Sequence, residues 1–374
     1  MLKLILLMML TVKDLLSIVN MPKHVAVINP FQLSLKMTIV NLKTILDHAQ
    51  KHQYAVPAFN INFQTQAEAV LLAAVETQSP AIIQISSGGL KQLPSWLITG
   101  LLEHVKKLPI PVCIHRDHTY ELEEFTQSMQ TGWFSSLMMD GSICSNGHPR
   151  SFEENVKITQ AAMKTIAGTS ISIEAELGCL GSLESGKSGE EDGHEAQCTL
   201  SKSQLLTCPE QAAMFIDLCP VDALAIAIGT SHGAYKFTSP PDTSTLSIQT
   251  VKALHARLPQ QHFVLHGCST VDQHHLKIIN QHGGTIPSTY GVPIDAICDA
   301  IPFGVRKVNI DTDLRLGFTA ATRQLLHHSP QTFDPRSILK AAKDEMQSIC
   351  MDRFRAFGAS NKAPLLMKER YETT

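Results

Sequence analysis

The chain has 374 residues, which is long for an average domain and ordinary for an α/β barrel with extra loops. Apolar residues make up 44 % and charged residues 17 %, a composition that excludes a disordered chain. A net charge of −3 gives no electrostatic case for nucleic acid or a membrane, and nine cysteines without a CxxC pair point to a reduced, cytoplasmic protein.

Residues 1–36 are expected to lie outside the fold. Leu4 to Leu10 is an apolar run after Lys3, but no small-residue cleavage site follows it, and Lys13 and Asp14 interrupt it too early for a bilayer span. An over-extended start or a loosely attached extension is the expectation, with Met21 and Met37 as alternative starts. Residues 37–374 are expected to form a single domain.

From Met37 onward, short apolar runs alternate with amphipathic stretches, the pattern of a parallel α/β sheet. Eight strands are predicted: Ala55–Ile61, Ala81–Ser86, Val112–His118, Ser136–Asp140, Ile171–Leu177, Ala223–Gly229, His262–His266 and Val305–Asp311. Helices are predicted over Gln64–Glu76, with Ala67, Val70, Leu71 and Ala74 on one face, and over Thr312–His327. A final helix is expected from about Ile338 to Phe354. No G-x-G-x-x-G follows the first strand, so a dinucleotide-binding sheet loses support. Chemically active residues instead crowd the carboxyl ends of six strands, the rim where a (β/α)8 TIM barrel builds its active site.

Three histidines, His118, His232 and His266, occupy three of these ends. Three imidazoles around an open fourth position form a catalytic Zn²⁺ ligand set. Each alone reads more readily as a hydrogen-bonded rim residue; together, and with glycine after two of them, they favour metal. His115 reads as an inner-layer residue, and His274, His275, His327 and His328 as solvated helix residues. Asp140 and Glu176 could hold a second cation, orient a zinc-bound histidine, or pair with a basic neighbour, and Glu174 competes with Glu176. Gly178 to Leu200 is a long glycine-bearing loop, either a solvated acidic segment or a lid.

The ordered set His115-Arg116-Asp117-His118, Glu176-Leu177-Gly178, Glu191-Asp192-Gly193, Gly229-Thr230-Ser231-His232-Gly233, His266-Gly267-Cys268-Ser269 and Asn309-Ile310-Asp311-Thr312-Asp313 resembles class II fructose-bisphosphate aldolase. Cys179 to Glu184 resembles its B-type branch. The resemblance runs from about Met37 to the C-terminus. It implies reversible, zinc-dependent aldol cleavage of fructose 1,6-bisphosphate to dihydroxyacetone phosphate and glyceraldehyde 3-phosphate through an enediolate.

The resemblance further implies His118, His232 and His266 as Zn²⁺ ligands, and Asp117 as proton donor and acceptor at the cleaved hydroxyl. It gives Asp140 and Glu176 to a second divalent site and Glu191 to proton movement on the ketone fragment. Ser86 falls to the glyceraldehyde 3-phosphate half. Gly233, Gly267, Cys268, Ser269, Asn309, Ile310, Asp311 and Thr312 fall to the dihydroxyacetone phosphate half. Arg315 matches an arginine that reaches the other phosphate, commonly from a neighbouring subunit, so a homodimer or homotetramer is implied, with a monovalent cation a further candidate. Lys236 is a phosphate partner or a surface charge. Arg116, Thr119 and Cys268 depart from the family's usual residues and bear on sugar preference.

An enediolate needs a positive partner, from a metal or from a lysine Schiff base. Lys236 and Lys307 are not placed like barrel nucleophiles, whereas the histidines are placed like ligands. Aldolases for tagatose 1,6-bisphosphate or sedoheptulose 1,7-bisphosphate use the same chemistry. A metal-dependent barrel hydrolase would often carry H-x-H on its first strand, where this chain has Asn60-Ile61-Asn62. A non-catalytic scaffold would not need the full acid, base and metal set.

Overall fold

The computed structural model describes residues 38–181, 200–201, 203–231, 233, 237, 239–241 and 247–373. The sequence expectations that fall on the extension 1–36 and on Glu191, His232 and Lys236 lie outside the described residues.

Eight strands close into one parallel barrel in chain order. They are β1 (Val56–Asn60), β2 (Ala81–Ile85), β3 (Val112–Thr119), β4 (Ser136–Met139), β5 (Ser172–Leu177), β6 (Ala223–Ile226), β7 (Phe263–Leu265) and β8 (Val305–Ile310). The barrel is shut by β1 against β8, with Ala58 opposite Asn309. Every strand position is buried, as two-sided coverage requires. Outward residues such as Ile173, Ala175, Val308 and Ile310 join the apolar core under the helices. Inward residues carry a polar layer instead: His115, Ser136, Glu174 and Lys307 are all fully buried.

Helix α1 (Leu42–Lys51) precedes β1 and contacts β3, β5 and β8, so it lies across the strands' amino ends as a plug. Leu42, Ile45, Leu46 and Ala49 form its buried face, and Asn41 caps it. The helices around the wall are α2 (Gln64–Glu76), α3 (Ser87–Gln92), α4 (Ser95–Val105), α5 (Leu122–Gln130), α6 (Phe152–Ile166), α7 (Pro209–Leu218), α8 (Ile248–Arg257), α9 (Gln273–Gln281), α10 (Ile294–Ala300) and α11 (Thr312–His328). Two more, α12 (Pro335–Ala356) and α13 (Ala363–Thr373), follow the barrel. The last helix is therefore α13, one beyond the helix expected to be final. It was missed because its apolar and charged residues have almost no sidedness.

The expected sixth strand overruns the observed one. After Ile226 the chain leaves the barrel, and Ile228 pairs antiparallel with Leu206. His275 is also not solvated: its ring is buried with Nε2 2.8 Å from Glu345 Oε1, because α9 packs on α11, next to α12.

Candidate active site

Alternation along a strand should send Asp117 and His118 to opposite faces of β3. A bulge prevents this. Three steps on β3, from Arg116 to Thr119, run against two on β4, from Leu137 to Met139. His118 absorbs the extra residue at φ 39°, a left-handed conformation that is strained for a side chain bearing a ring. Both groups thereby reach the mouth.

Asp117 is gripped by amides from three strands. Asn60 Nδ2 donates to Oδ2 at 2.8 Å, Gln84 Nε2 at 3.3 Å, and Asn309 Nδ2 lies 3.4 Å from Oδ1. Gln84 Nε2 also donates to Asn60 Oδ1 at 2.5 Å, so the amides brace each other. Asn60 and Gln84 were missed by sequence reasoning. Their signal was present as single amides inside apolar runs of strands, where an unpaired polar group is costly.

His118 and His266 meet at the centre. His118 Nδ1 is 2.9 Å from Asp140 Oδ2, and His266 Nε2 is 2.9 Å from Glu174 Oε1. A carboxylate can only accept, so each of these nitrogens carries the hydrogen. The remaining nitrogens, His118 Nε2 and His266 Nδ1, face each other 2.9 Å apart. Such a pair must share a proton or have a cation beside it. The surrounding carboxylates say the same. Burial opposes charge on His118, yet Asp117, Asp140 and Glu176 together raise its pKa to about 10. Burial raises Glu176 well above the usual carboxylate range, and Asp140 adds to the rise. Asp140 resists its own burial through the hydrogen bonds from His118 and Ser142, and is held below its ordinary value.

Donor atoms of Asp117, His118 and His266 lie within 4.8 Å of one another, and so do those of His118, Asp140 and Glu176. The two groups share His118. Glu176 Oε2 is buried with no hydrogen-bond partner, and a cation there would satisfy it. Imidazoles with carboxylate-fixed tautomers beside open oxygens fit a divalent metal.

Glu174 is committed elsewhere. Besides His266 it pairs with Lys307 Nζ at 2.9 Å, and both are fully buried. His115 continues this column inward, with Nε2 3.6 Å from Glu174 Oε2 and Nδ1 2.9 Å from Ser136 Oγ. Burial and then Lys307 lower the His115 pKa well below its ordinary value, so the ring is neutral.

The remaining expected site residues form the rim. Gly267 has φ 64°, and a Cβ there would sit 2.5 Å from Ser231 O, so only glycine lets the loops after β6 and β7 touch. Gly233 also has positive φ, at 76°. Ser269 Oγ accepts from Asp311 N at 3.3 Å, tying the β7 loop to the start of α11. Thr312 opens α11, whose N-terminus favours an anion. Asp311 pairs with Arg315, Oδ2 to Nη2 at 2.5 Å, leaving the arginine half exposed. Ser86 Oγ caps α3 by accepting from Gly89 N at 3.2 Å. The side chains of Cys268 and Ile310 pack in the apolar core and offer the rim only their backbone. Arg116 and Thr119 also turn from the mouth. Arg116 binds Glu124, Ser87 Oγ at 2.7 Å and Ile85 O at 3.2 Å, while Thr119 donates to Met138 O.

This geometry defines a barrel protein with a polar, cation-seeking mouth. The sequence model of the family described as fructose-bisphosphate aldolase class-II matches residues 40–362, and the chain belongs to that family, whose members are metal-dependent. It is 49 % identical over 330 residues to a fructose-bisphosphate aldolase of Stutzerimonas stutzeri, covering 87 % of this chain and 93 % of that one. It is 46 % identical over 330 residues to one of Nostoc commune, covering 87 % and 92 %. Among solved structures, the YdjI aldolase from Escherichia coli K12 superposes with a TM-score of 0.65 at 25 % identity, over 87 % of this chain and 99 % of that one. Among the described residues, no helix is long and apolar enough to cross a membrane.

Proposed function

We propose that this chain is a B-type class II aldolase that reversibly cleaves fructose 1,6-bisphosphate into dihydroxyacetone phosphate and glyceraldehyde 3-phosphate. The observation that carries the reading is the facing pair His118 Nε2 and His266 Nδ1, 2.9 Å apart, each ring fixed from behind by a carboxylate and both beside Asp117. His118 and His266, with His232 outside the described residues, would hold Zn²⁺. Asp140 and Glu176, with His118, would hold a second divalent ion, or Asp140 would orient His118. Lewis acidity toward the charge left on the ketone fragment is the chemistry that bound Zn²⁺ supplies.

The chain's own residues do the rest. Asn60 and Gln84 hold Oδ2 of Asp117, so the carboxylate enters the reaction already aimed. In cleavage Asp117 takes the C4 hydroxyl proton as the C3–C4 bond breaks and the aldehyde forms; in condensation it returns that proton. Glu191, outside the described residues, would move the carbon-bound proton of the ketone fragment. Gly233, Gly267 to Ser269 and Asn309 to Thr312 would bind dihydroxyacetone phosphate through backbone N–H groups and the α11 N-terminus. Ser86 would meet the glyceraldehyde 3-phosphate half. Lys236 and a partner subunit's copy of Arg315 would meet phosphate in a homodimer or homotetramer. A cytoplasmic setting and an extension 1–36 outside the barrel complete the reading.

The test is cleavage of fructose 1,6-bisphosphate before and after EDTA, then with Zn²⁺ restored. Activity should vanish on metal removal and return with zinc. Turnover that persists in protein shown to be metal-free, or release of inorganic phosphate, overturns it. Parallel assays on tagatose 1,6-bisphosphate and sedoheptulose 1,7-bisphosphate fix the sugar.

A further inference from the structure

At the end of the barrel away from the mouth, α1 and its capping residue present His48 and His52. The spacing of four places both imidazoles on one helix face, and their ring centroids are 4.3 Å apart. From α13, Glu369 reaches across: its Oε1 is 2.9 Å from His52 Nε2. One donor atom from each of the three residues lies within 4.8 Å of the others. His48 is buried, with Nδ1 2.8 Å from Tyr54 Oη and Nε2 buried without a hydrogen-bond partner.

A buried ring nitrogen without a partner is uncommon in a packed interior. If Nδ1–H donates to Tyr54 Oη, the other nitrogen keeps its lone pair, the tautomer arrangement of a metal-ligating histidine with its supporting oxygen. Two imidazoles and one carboxylate, with an outer side open to water, are a donor set that zinc accepts. Lys51 Nζ holds Glu369 Oε2 at 3.0 Å, so an ion would take Oε1 and replace the proton through which His52 Nε2 now meets it.

We propose that His48, His52 and Glu369 form a second, non-catalytic site for a zinc-like divalent ion, which clamps α13 onto α1. The site joins residues more than three hundred positions apart, so an ion there ties the chain's end to the barrel's closed end. His52 and Glu369 are partly exposed and stand apart from the mouth, so their removal leaves cleavage activity intact.

The experiment uses the full-length protein, carrying its catalytic metal, as wild type, His52→Ala and Glu369→Ala. Each is dialysed against micromolar ZnCl₂, its bound zinc is counted by elemental analysis, and melting is followed with and without zinc. The wild type should hold one equivalent more per chain than either variant, and zinc should raise the melting temperature of the wild type alone. Loading with CoCl₂ should give a visible band that both variants lose. Equal metal counts in all three proteins overturn the proposal and leave the His52–Glu369 contact as a plain ion pair. An extra equivalent that survives in both variants overturns it as well. Activity equal across the three shows that the variants are folded and that the mouth is untouched.

Discussion

Replacing Lys307 with Met tests the buried centre of the barrel. The ammonium lies 2.9 Å from Glu174, and neither side chain has any exposure. Methionine fills most of the volume but leaves a carboxylate in the interior with no cation. Removing one partner of a buried pair destabilises by about 3–5 kcal/mol. That is a large share of the roughly 5–15 kcal/mol that holds a typical protein folded. The same carboxylate holds His266 Nε2 at 2.9 Å, so the metal centre should loosen with it. Urea unfolding followed by circular dichroism measures the loss. A second substitution identifies the cause, by removing the carboxylate that has lost its cation. Lys307→Met combined with Glu174→Gln should recover at least half the loss, because the Gln carbonyl still accepts from His266. A deficit below about 1 kcal/mol, with the double variant no better than the single, would refute the reasoning.

Asp117→Ala should lower kcat by about 10²–10⁴-fold while metal content holds, as measured by steady-state cleavage beside elemental analysis. Asp140→Ala removes the acceptor behind His118 and should weaken metal affinity by about 10–100-fold in a competition titration with a chelator. Gly267→Ala meets Ser231 O at 2.5 Å and must adopt φ 64°, so it should destabilise by about 1–3 kcal/mol and depress activity, read by thermal melting and assay. His275→Gln tests the α9–α12 pair. Burial disfavours charge on His275, but Glu345 raises its pKa above 6.5, while His275 holds Glu345 below 4.5. The histidine's contribution is full below 6.5 and fades as pH rises through its folded value; the glutamate's is full above 4.5 and fades in acid. The melting difference between wild type and variant should therefore peak between these values and shrink toward pH 8.

The barrel was legible because its outward strand faces are mostly apolar, with Arg116 and Arg306 the buried exceptions among the described residues, and its rim residues recur after each run. Strand ends were less legible, since Ile228 and its neighbours continue the apolar run of β6 after leaving the sheet for Leu206. Helix α1 carries a readable face, Leu42, Ile45, Leu46 and Ala49, that the search for alternating units passed over. Within the site, Asp117, His118, Asp140, Glu176 and His266 announced themselves by type and position. Asn60 and Gln84 did not, because an amide's role depends on what lies across the barrel. Nor could the sequence disclose that one extra residue at His118 aims two consecutive side chains at the mouth. Arg116 shows the converse: it adjoins Asp117 in sequence but points among α3 and α5.

The column of contacts through the barrel has a practical consequence for recombination. The first four β/α units supply Ser136, His115, His118 and Asp117; the last four supply Glu174, Lys307, His266 and Asn309. A chimera joined at that seam severs His115 from Glu174, His118 from His266 and Asp117 from Asn309 in one cut. Half-barrels exchanged between distant relatives will need these partners transplanted as matched sets, or they will assemble into shells with an unbalanced interior.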